Sequence, residues 1–211
     1  MTRLLLVRHG QSEWNAVGRW QGQADPPLTD LGRQQARLGA RALGGVDAVF
    51  ASDLQRATET AVLMAAELGV GPVLVEPGLR ERDAGEWSGL TRAEIDERYP
   101  GYLDAPPRSA FAPGPERGRR RPPGWEHDDD LLRRACAVVA EIARRVGPGD
   151  VLVITHGGLV YTLEVHLGAP FTRMANLEGR WFDSVDGNLV LGERMLLIDP
   201  NDSPVTVPDQ I

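Results

Sequence analysis

Leu4–Leu5–Leu6–Val7 is apolar at four consecutive positions, which predicts a strand buried on both faces of a parallel sheet. A polar loop follows, and Thr29 to about Leu43 reads as a helix stopped by Gly44–Gly45. Ala48–Val49–Phe50–Ala51 is the next strand. The Ser52-Asp-Leu-Gln55 that follows fits a capping box for a helix whose stripe is Leu54, Ala57, Ala61, Met64, Ala65 and Leu68, with Gly69 at its end. Val73–Leu74–Val75 predicts a third strand, and Thr91-Arg-Ala-Glu94 a capping box for a short helix ending near Tyr99–Pro100. Residues 128–146 repeat at helical spacing, with Leu131, Ala135, Val138, Val139, Ile142 and Val146 inward and Gly147–Pro148–Gly149 as a stop. Val151–Leu152–Val153–Ile154 is the clearest strand, running into a helix from about Gly158 to Leu167. Arg180 to Asp199 suggests two or three weaker strands, best defined at Met195–Leu196–Leu197–Ile198. This alternation predicts an α/β fold: a three-layer α/β/α sandwich around a mostly parallel sheet.

One stretch breaks the pattern. Pro106 to Gly124 holds six of the sixteen prolines and five arginines, with Glu116 its only acid, which excludes a core helix or central strand. It reads as a solvated surface excursion or as a lid that offers guanidinium groups to an anionic substrate. The 211 residues are therefore expected to form a single domain carrying an insertion at about 106–124.

Composition narrows the chemistry. A formal charge of −7 argues against a nucleic-acid partner, and no apolar run is long enough to predict a membrane span. The N-terminus lacks the pattern of a signal peptide, so a cytoplasmic location is expected. One cysteine, Cys136, excludes an internal disulfide and an all-cysteine metal site. Every one of the 23 basic residues is arginine, which hints at a GC-rich bacterial genome. The absence of lysine also excludes a Schiff base and a Walker-type phosphate loop. A phosphate site in this chain has to be made of arginine, histidine and backbone N–H groups.

Ligands of open α/β sheets bind beyond the carboxyl ends of the strands. The first predicted strand is followed by Arg8–His9–Gly10, the second by Arg56 in a first helical turn. Four residues after the third begins Leu79-Arg-Glu81-Arg-Asp83-Ala-Gly-Glu86, and the fourth runs into Thr155–His156–Gly157–Gly158. Each feature has a plain structural explanation: a histidine satisfied by one donor and one acceptor, a solvated arginine, glycines that permit a tight turn. Arg56 is harder to explain this way, because a cation is disfavoured at a helix N-terminus unless an anion lies close. Two arginines, two histidines and a choice of carboxylates on one rim describe a site for a phosphate.

The motifs Arg8-His9-Gly10-Gln11-Ser12-Glu13-Trp14-Asn15, Pro27-Leu28-Thr29-Asp30-Leu31-Gly32, Ser52-Asp53-Leu54-Gln55-Arg56-Ala57-Thr58-Glu59-Thr60, Leu79-Arg80-Glu81, Gly85-Glu86-Trp87-Ser88-Gly89-Leu90-Thr91 and Thr155-His156-Gly157-Gly158 resemble, in order, those of the histidine phosphatase (phosphoglycerate mutase-like) superfamily. The resemblance covers residues 3 to about 167. It implies a nucleophile at His9 that becomes a phosphohistidine, and Arg8, Arg56 and His156 around the phosphoryl oxygens. It also implies Glu81 as general acid and then base, and Asn15, Gln21 and Gly22 as further phosphate-binding positions. It implies no metal and no other cofactor.

Arg80-Glu81-Arg82-Asp83-Ala84-Gly85-Glu86-Trp87 resembles the phosphatase branch rather than the Asn-Glu-Arg-His-Tyr-Gly stretch of cofactor-dependent mutases. A phosphatase acting on a small phosphorylated metabolite, sugar phosphate or phosphoglycerate-like, is thus expected. Mutase-type transfer is the alternative, kept open by Arg119-Arg120-Arg121, and a non-catalytic phosphate-binding module is a third reading. Glu126-His127-Asp128-Asp129-Asp130 could suggest a metal site, but acids at a helix start satisfy its N–H groups and dipole. Relatives often carry a Gly-Gly-Glu-Ser-like turn where this chain has Gly124-Trp125-Glu126-His127. His166 reads as a packing or surface residue. An exposed edge strand in the tail offers a surface on which a homodimer could pair.

Overall fold

The computed structural model describes residues 1–103 and 120–207. Strands β1 (Thr2–Arg8), β2 (Ala48–Ala51), β3 (Val73–Val75) and β4 (Gly149–Thr155) run parallel, and β5 (Glu178–Val185) and β6 (Asn188–Leu196) complete an antiparallel edge. The sheet order is β3-β2-β4-β1-β5-β6. Helices α1 (Glu13–Ala16), α2 (Asp30–Arg41), α3 (Gln55–Leu68), α4 (Arg92–Arg98), α5 (Asp128–Val146) and α6 (Gly157–His166) alternate with the strands.

Strand alternation sorts the core into two layers. Leu4 and Leu6 of β1 and Val151 and Val153 of β4 point toward α5 and α6, while Leu5, Val7, Leu152 and Ile154 point toward α2 and α3. All eight side chains are fully buried. Truncating any one of the leucines or Ile154 to alanine is expected to cost about 2–5 kcal/mol. The predicted three-layer sandwich is the fold observed.

The topology also creates a crevice. The neighbouring strands β1 and β4 are followed by helices on opposite faces, α2 on one and α6 on the other. Such a switch point parts the chain just beyond the strand ends, where ligands of open α/β sheets bind. A third cluster of Trp20, Trp87, Leu90, Ile95 and Leu103, with Tyr99, Tyr102 and Trp125 against it, forms a small aromatic core beside that crevice.

Several expectations are corrected. Ser52 does not cap α3: its N–H still donates to Ile154 O, extending the pairing of β2 with β4, and the N-cap is Leu54, which has no side-chain cap. Asp25 Oδ1 instead accepts from Gln55 N at 2.6 Å, bringing a carboxylate from a distant loop to the helix start. Helix α2 ends at Arg41 because Ala42 and Leu43 tighten into i−3 hydrogen bonds. Helix α6 spans Gly157–His166, with His156 itself as N-cap. Of Met195–Ile198 only the first two residues belong to β6; Leu197 N turns to Leu177 O, and Leu197 and Ile198 are buried under the sheet. The capping box at Thr91 and Glu94 is present as predicted. Most of the Pro106–Gly124 segment lies outside the described residues.

Candidate active site

Arg8 ends β1 and has the parity of Leu4 and Leu6, so its side chain enters the α6 side of the crevice. Its Nη1 donates to Met174 O at 2.8 Å and to Thr206 O at 3.2 Å. His9 follows directly, and its N–H donates to Thr155 O, so the β1–β4 ladder carries it to the rim. The next residue must be small: a Cβ on Gly10 would lie 2.6 Å from Gly32 O.

His9 Nδ1 sits 2.6 Å from Gly10 O, and Arg56 Nε sits 3.1 Å from His9 Nε2. A carbonyl can only accept and a guanidinium can only donate, so together they select one tautomer: the proton is on Nδ1 and the lone pair on Nε2. Burial first, and then the charges of Arg56 and Arg8, hold the His9 pKa well below its ordinary 6.5. The imidazole is therefore neutral at pH 7, with a basic nitrogen facing the arginine.

Arg56 is the second residue of α3 and only 1% exposed. Its Nη1 donates to Ala24 O at 2.7 Å and its Nη2 to Gly22 O at 2.9 Å. Gly22 has φ +52°, and a Cβ there would lie 2.6 Å from Ala84 N, so only glycine lets this loop approach and present that carbonyl. Burial pushes the Arg56 pKa down to about 10, against the raising effect of Glu81 and Asp25. It remains a cation at neutral pH.

His156 is fully buried, its ring centroid 5.1 Å from that of His9. Neither of its ring nitrogens has a hydrogen-bond partner among the described residues. Burial, followed by Arg56 and His9, holds its pKa well below 6.5. A neutral, unpartnered imidazole among cations is suited to an anion, which would satisfy it and raise its pKa.

Glu81 lies between two short 3₁₀ turns, Pro77–Leu79 and Gly85–Trp87. Its Oε2 accepts from Gly158 N at 3.1 Å and its Oε1 from Arg82 N at 2.7 Å. A Cβ on Gly158 would come within 2.2 Å of Oε1, so this glycine makes room for the carboxylate. The other carboxylates weighed in the sequence lie elsewhere: Asp83 Oδ1 accepts from Gly85 N, and Glu86 accepts from the Tyr99 hydroxyl. Asn15 and Gln21 are placed alike. Asn15 Oδ1 accepts from Ser12 N, and Gln21 Oε1 accepts from Ser12 Oγ at 2.8 Å, so each amide keeps its NH₂ as the group to offer.

Residues not flagged by the sequence hold this arrangement. Thr60 Oγ1 accepts from Gly10 N and donates to Arg56 O, linking the peptide that orients His9 to the helix that carries Arg56. Arg134 forms a two-point pair with Glu126 and donates to the carbonyls of Gly78 and Arg80, clamping the approach to Glu81. Glu126 also accepts from Asp83 N. The acidic run that suggested a metal site is used otherwise: Asp128 pairs with Arg82 at 2.6 Å, and Asp128–Asp130 occupy the first turn of α5. Among the described residues no group of three or more His, Cys, Asp or Glu side chains could hold a metal ion. The helical periodicity of α5 could have shown that Arg134 lies off the buried stripe, but not that it points at a loop 54 to 56 residues away.

A crevice at the ends of parallel strands, with two buried arginines and two neutral histidines, has the charge and hydrogen-bonding groups to receive a phosphoryl group. The model of the histidine phosphatase superfamily (branch 1) matches residues 4–180, and the chain belongs to that superfamily. Glucosyl-3-phosphoglycerate phosphatase of Mycolicibacterium vanbaalenii is 35% identical over 84% of this chain and 79% of its own. A 2,3-bisphosphoglycerate-dependent phosphoglycerate mutase of Methylobacterium radiotolerans is 41% identical over 77% of this chain and 78% of its own. Among solved structures, a mycobacterial glucosyl-3-phosphoglycerate phosphatase in complex with VO3 superposes with a TM-score of 0.76 at 32% identity, covering 90% of this chain and 97% of that one. The chain is a phosphatase of this superfamily, an enzyme that hydrolyses phosphate monoesters.

Proposed function

We propose that the chain hydrolyses a small phosphorylated metabolite, of the sugar phosphate or phosphoglycerate kind, in two steps through His9. The observation that carries this reading is the His9 tautomer, with Nε2 left basic between Gly10 O and the Arg56 guanidinium. In the first step the Nε2 lone pair forms a bond to phosphorus as the ester P–O bond breaks, and Glu81 gives its proton to the leaving oxygen. Arg56 Nε shifts from Nε2 to a phosphoryl oxygen. Arg8, Arg56 and His156, with the amides of Asn15 and Gln21 and the Gly22 loop, surround the equatorial oxygens and offset their charge. Gly10 O holds the Nδ1 proton of the imidazolium that results. In the second step Glu81 takes a proton from water as its oxygen bonds to phosphorus, the N–P bond breaks, and inorganic phosphate leaves.

The relatives support the substrate class, and one cysteine, half-buried and unpaired, suits a cytoplasmic setting. Among the described residues no helix is long and apolar enough to cross a membrane. Trapping an acid-labile phosphohistidine from a labelled monoester tests the mechanism. It should form in the wild type with EDTA present and be absent from His9→Ala; hydrolysis surviving in His9→Ala would sink it. The mutase relative favours a second reading, phosphoryl transfer between hydroxyls. Formation of 2-phosphoglycerate from 3-phosphoglycerate and its bisphosphate cofactor, at a rate above that of phosphate release, would establish that reading instead.

A further inference from the structure

Beyond the phosphate cage, in the loop before β5, Asn176 is fully buried. Its Nδ2 donates to His9 O at 2.8 Å and lies 3.5 Å from Asn15 Oδ1. Its own Oδ1 has no donor among the described residues. An unsatisfied buried carbonyl is a cost that an apolar side chain of similar size would not carry, so the value of this amide has to lie in its N–H bonds. Its orientation follows from its neighbours: flipped, the carboxamide would set its oxygen against the His9 carbonyl and the Asn15 oxygen. The following residue acts in the same direction. Leu177, a non-glycine residue at φ 55°, donates its N–H to Arg8 O at 3.0 Å. Two adjacent positions thus grip the two adjacent carbonyls of Arg8 and His9.

We propose that Asn176 is a positioning residue for catalysis, which holds the His9 peptide and the Asn15 amide in one arrangement so that Nε2 of the first and NH₂ of the second meet the same phosphoryl group. Asn15 Oδ1 receives Ser12 N at 3.2 Å as well as Asn176 Nδ2, and with its oxygen so engaged Asn15 can present only its NH₂ to an anion. Asn176 touches no substrate and acts through these two groups. The assignment rests on the reading of His9 as nucleophile.

The test is single-turnover phosphorylation of the full-length chain by labelled p-nitrophenyl phosphate, quenched rapidly, with rates scaled to folded protein. Asn176→Ala is expected to slow phosphohistidine formation about 10- to 100-fold. The Asn15→Ala/Asn176→Ala double variant should lose less than the product of the two single losses, because both act through one amide. Asn176→Asp keeps the size of the side chain and serves if the alanine variant does not fold. Its protonated form retains one O–H donor, so its rate relative to wild type should fall as pH rises and the donor is lost. A residue that only stabilised the fold would lower the melting temperature and leave all three readouts unchanged. Phosphorylation of Asn176→Ala within threefold of wild type, a fully multiplicative double variant, or an Asn176→Asp to wild-type ratio flat with pH would each overturn the assignment. A wild type that turns over without any acid-labile phosphoenzyme would overturn the His9 reading instead, so the two failures are distinguishable.

Discussion

The two sides of the crevice are built differently. On the side proposed to face the transferred phosphoryl group, Arg8, His9, Arg56 and His156 are each less than 5% exposed. They sit at strand ends and helix starts, and backbone carbonyls orient three of them. On the side proposed to face the leaving group, Glu81 lies in a loop between two short turns and is braced by the partly exposed pair Arg134 and Glu126. Beyond it Trp125 packs edge-on to Trp87 at 5.5 Å, and the Arg121 guanidinium lies over the Trp125 ring, 4.5 Å from its centroid. Every substrate of a phosphatase brings the same phosphoryl group, which rewards a rigid and preorganised cage. Leaving groups differ, and loops are where a fold accommodates difference. In relatives with different substrates the first side should persist and the second should vary.

The largest effect that would break this contrast is on the cage. His9→Ala should lower kcat by about 10⁴-fold or more for every ester tried, measured as phosphate release, because the proposed mechanism runs through a bond to its Nε2. Glu81→Gln should divide substrates by their need for an acid. Phosphorylation by an alkyl phosphate should slow by about 10³-fold. p-Nitrophenyl phosphate, whose leaving group needs no proton, should give a burst of nitrophenol followed by slow turnover. A burst of equal size and rate with both substrates would show that Glu81 is not the acid.

Arg134→Met removes the clamp and leaves Glu81 itself intact. Alkyl phosphate turnover should fall about 10-fold through misplacement of the carboxylate, with little change in the p-nitrophenol burst. Equal losses on both would place Arg134 on the phosphoryl side instead. The smallest effect concerns stability. His9 and His156 have folded pKa values below 6.5, so as pH falls below that value the unfolded chain binds protons that the folded chain does not. The stability they contribute is complete above about pH 6.5 and is lost as pH drops toward their folded values. The melting temperature should fall by a few degrees between about pH 7 and pH 5.5, and His156→Asn should flatten that slope. Inorganic phosphate should raise the melting temperature and reduce the loss, since an anion favours charged imidazoles.

Much of this was legible beforehand, for reasons that differ from element to element. Helix α5 matched its predicted bounds because a long amphipathic period and a Gly-Pro-Gly stop leave little freedom. Ser52 misled because a capping pattern is local, whereas Ser52 N is claimed by Ile154 across the sheet. The acids Glu126 and Asp128 were legible as charges at a helix start, but their partners Arg134 and Arg82 were not, because those pairs form across segments. Asn176 left no trace in the pattern, since a single polar residue before a strand carries no period and no spacing.

The order of residue types along the chain determined, by itself, that four strand ends would bring two arginines, two histidines and a choice of carboxylates to one rim, without a lysine to share the work. Periodicity and strand-to-helix alternation are local properties, and they were sufficient for that. Only the folded chain decided which imidazole nitrogen keeps its lone pair, which carbonyl each guanidinium binds, and that a buried amide 167 residues away holds the His9 peptide. Those outcomes depend on hydrogen bonds between segments remote in sequence, whose partners are chosen by packing rather than by spacing.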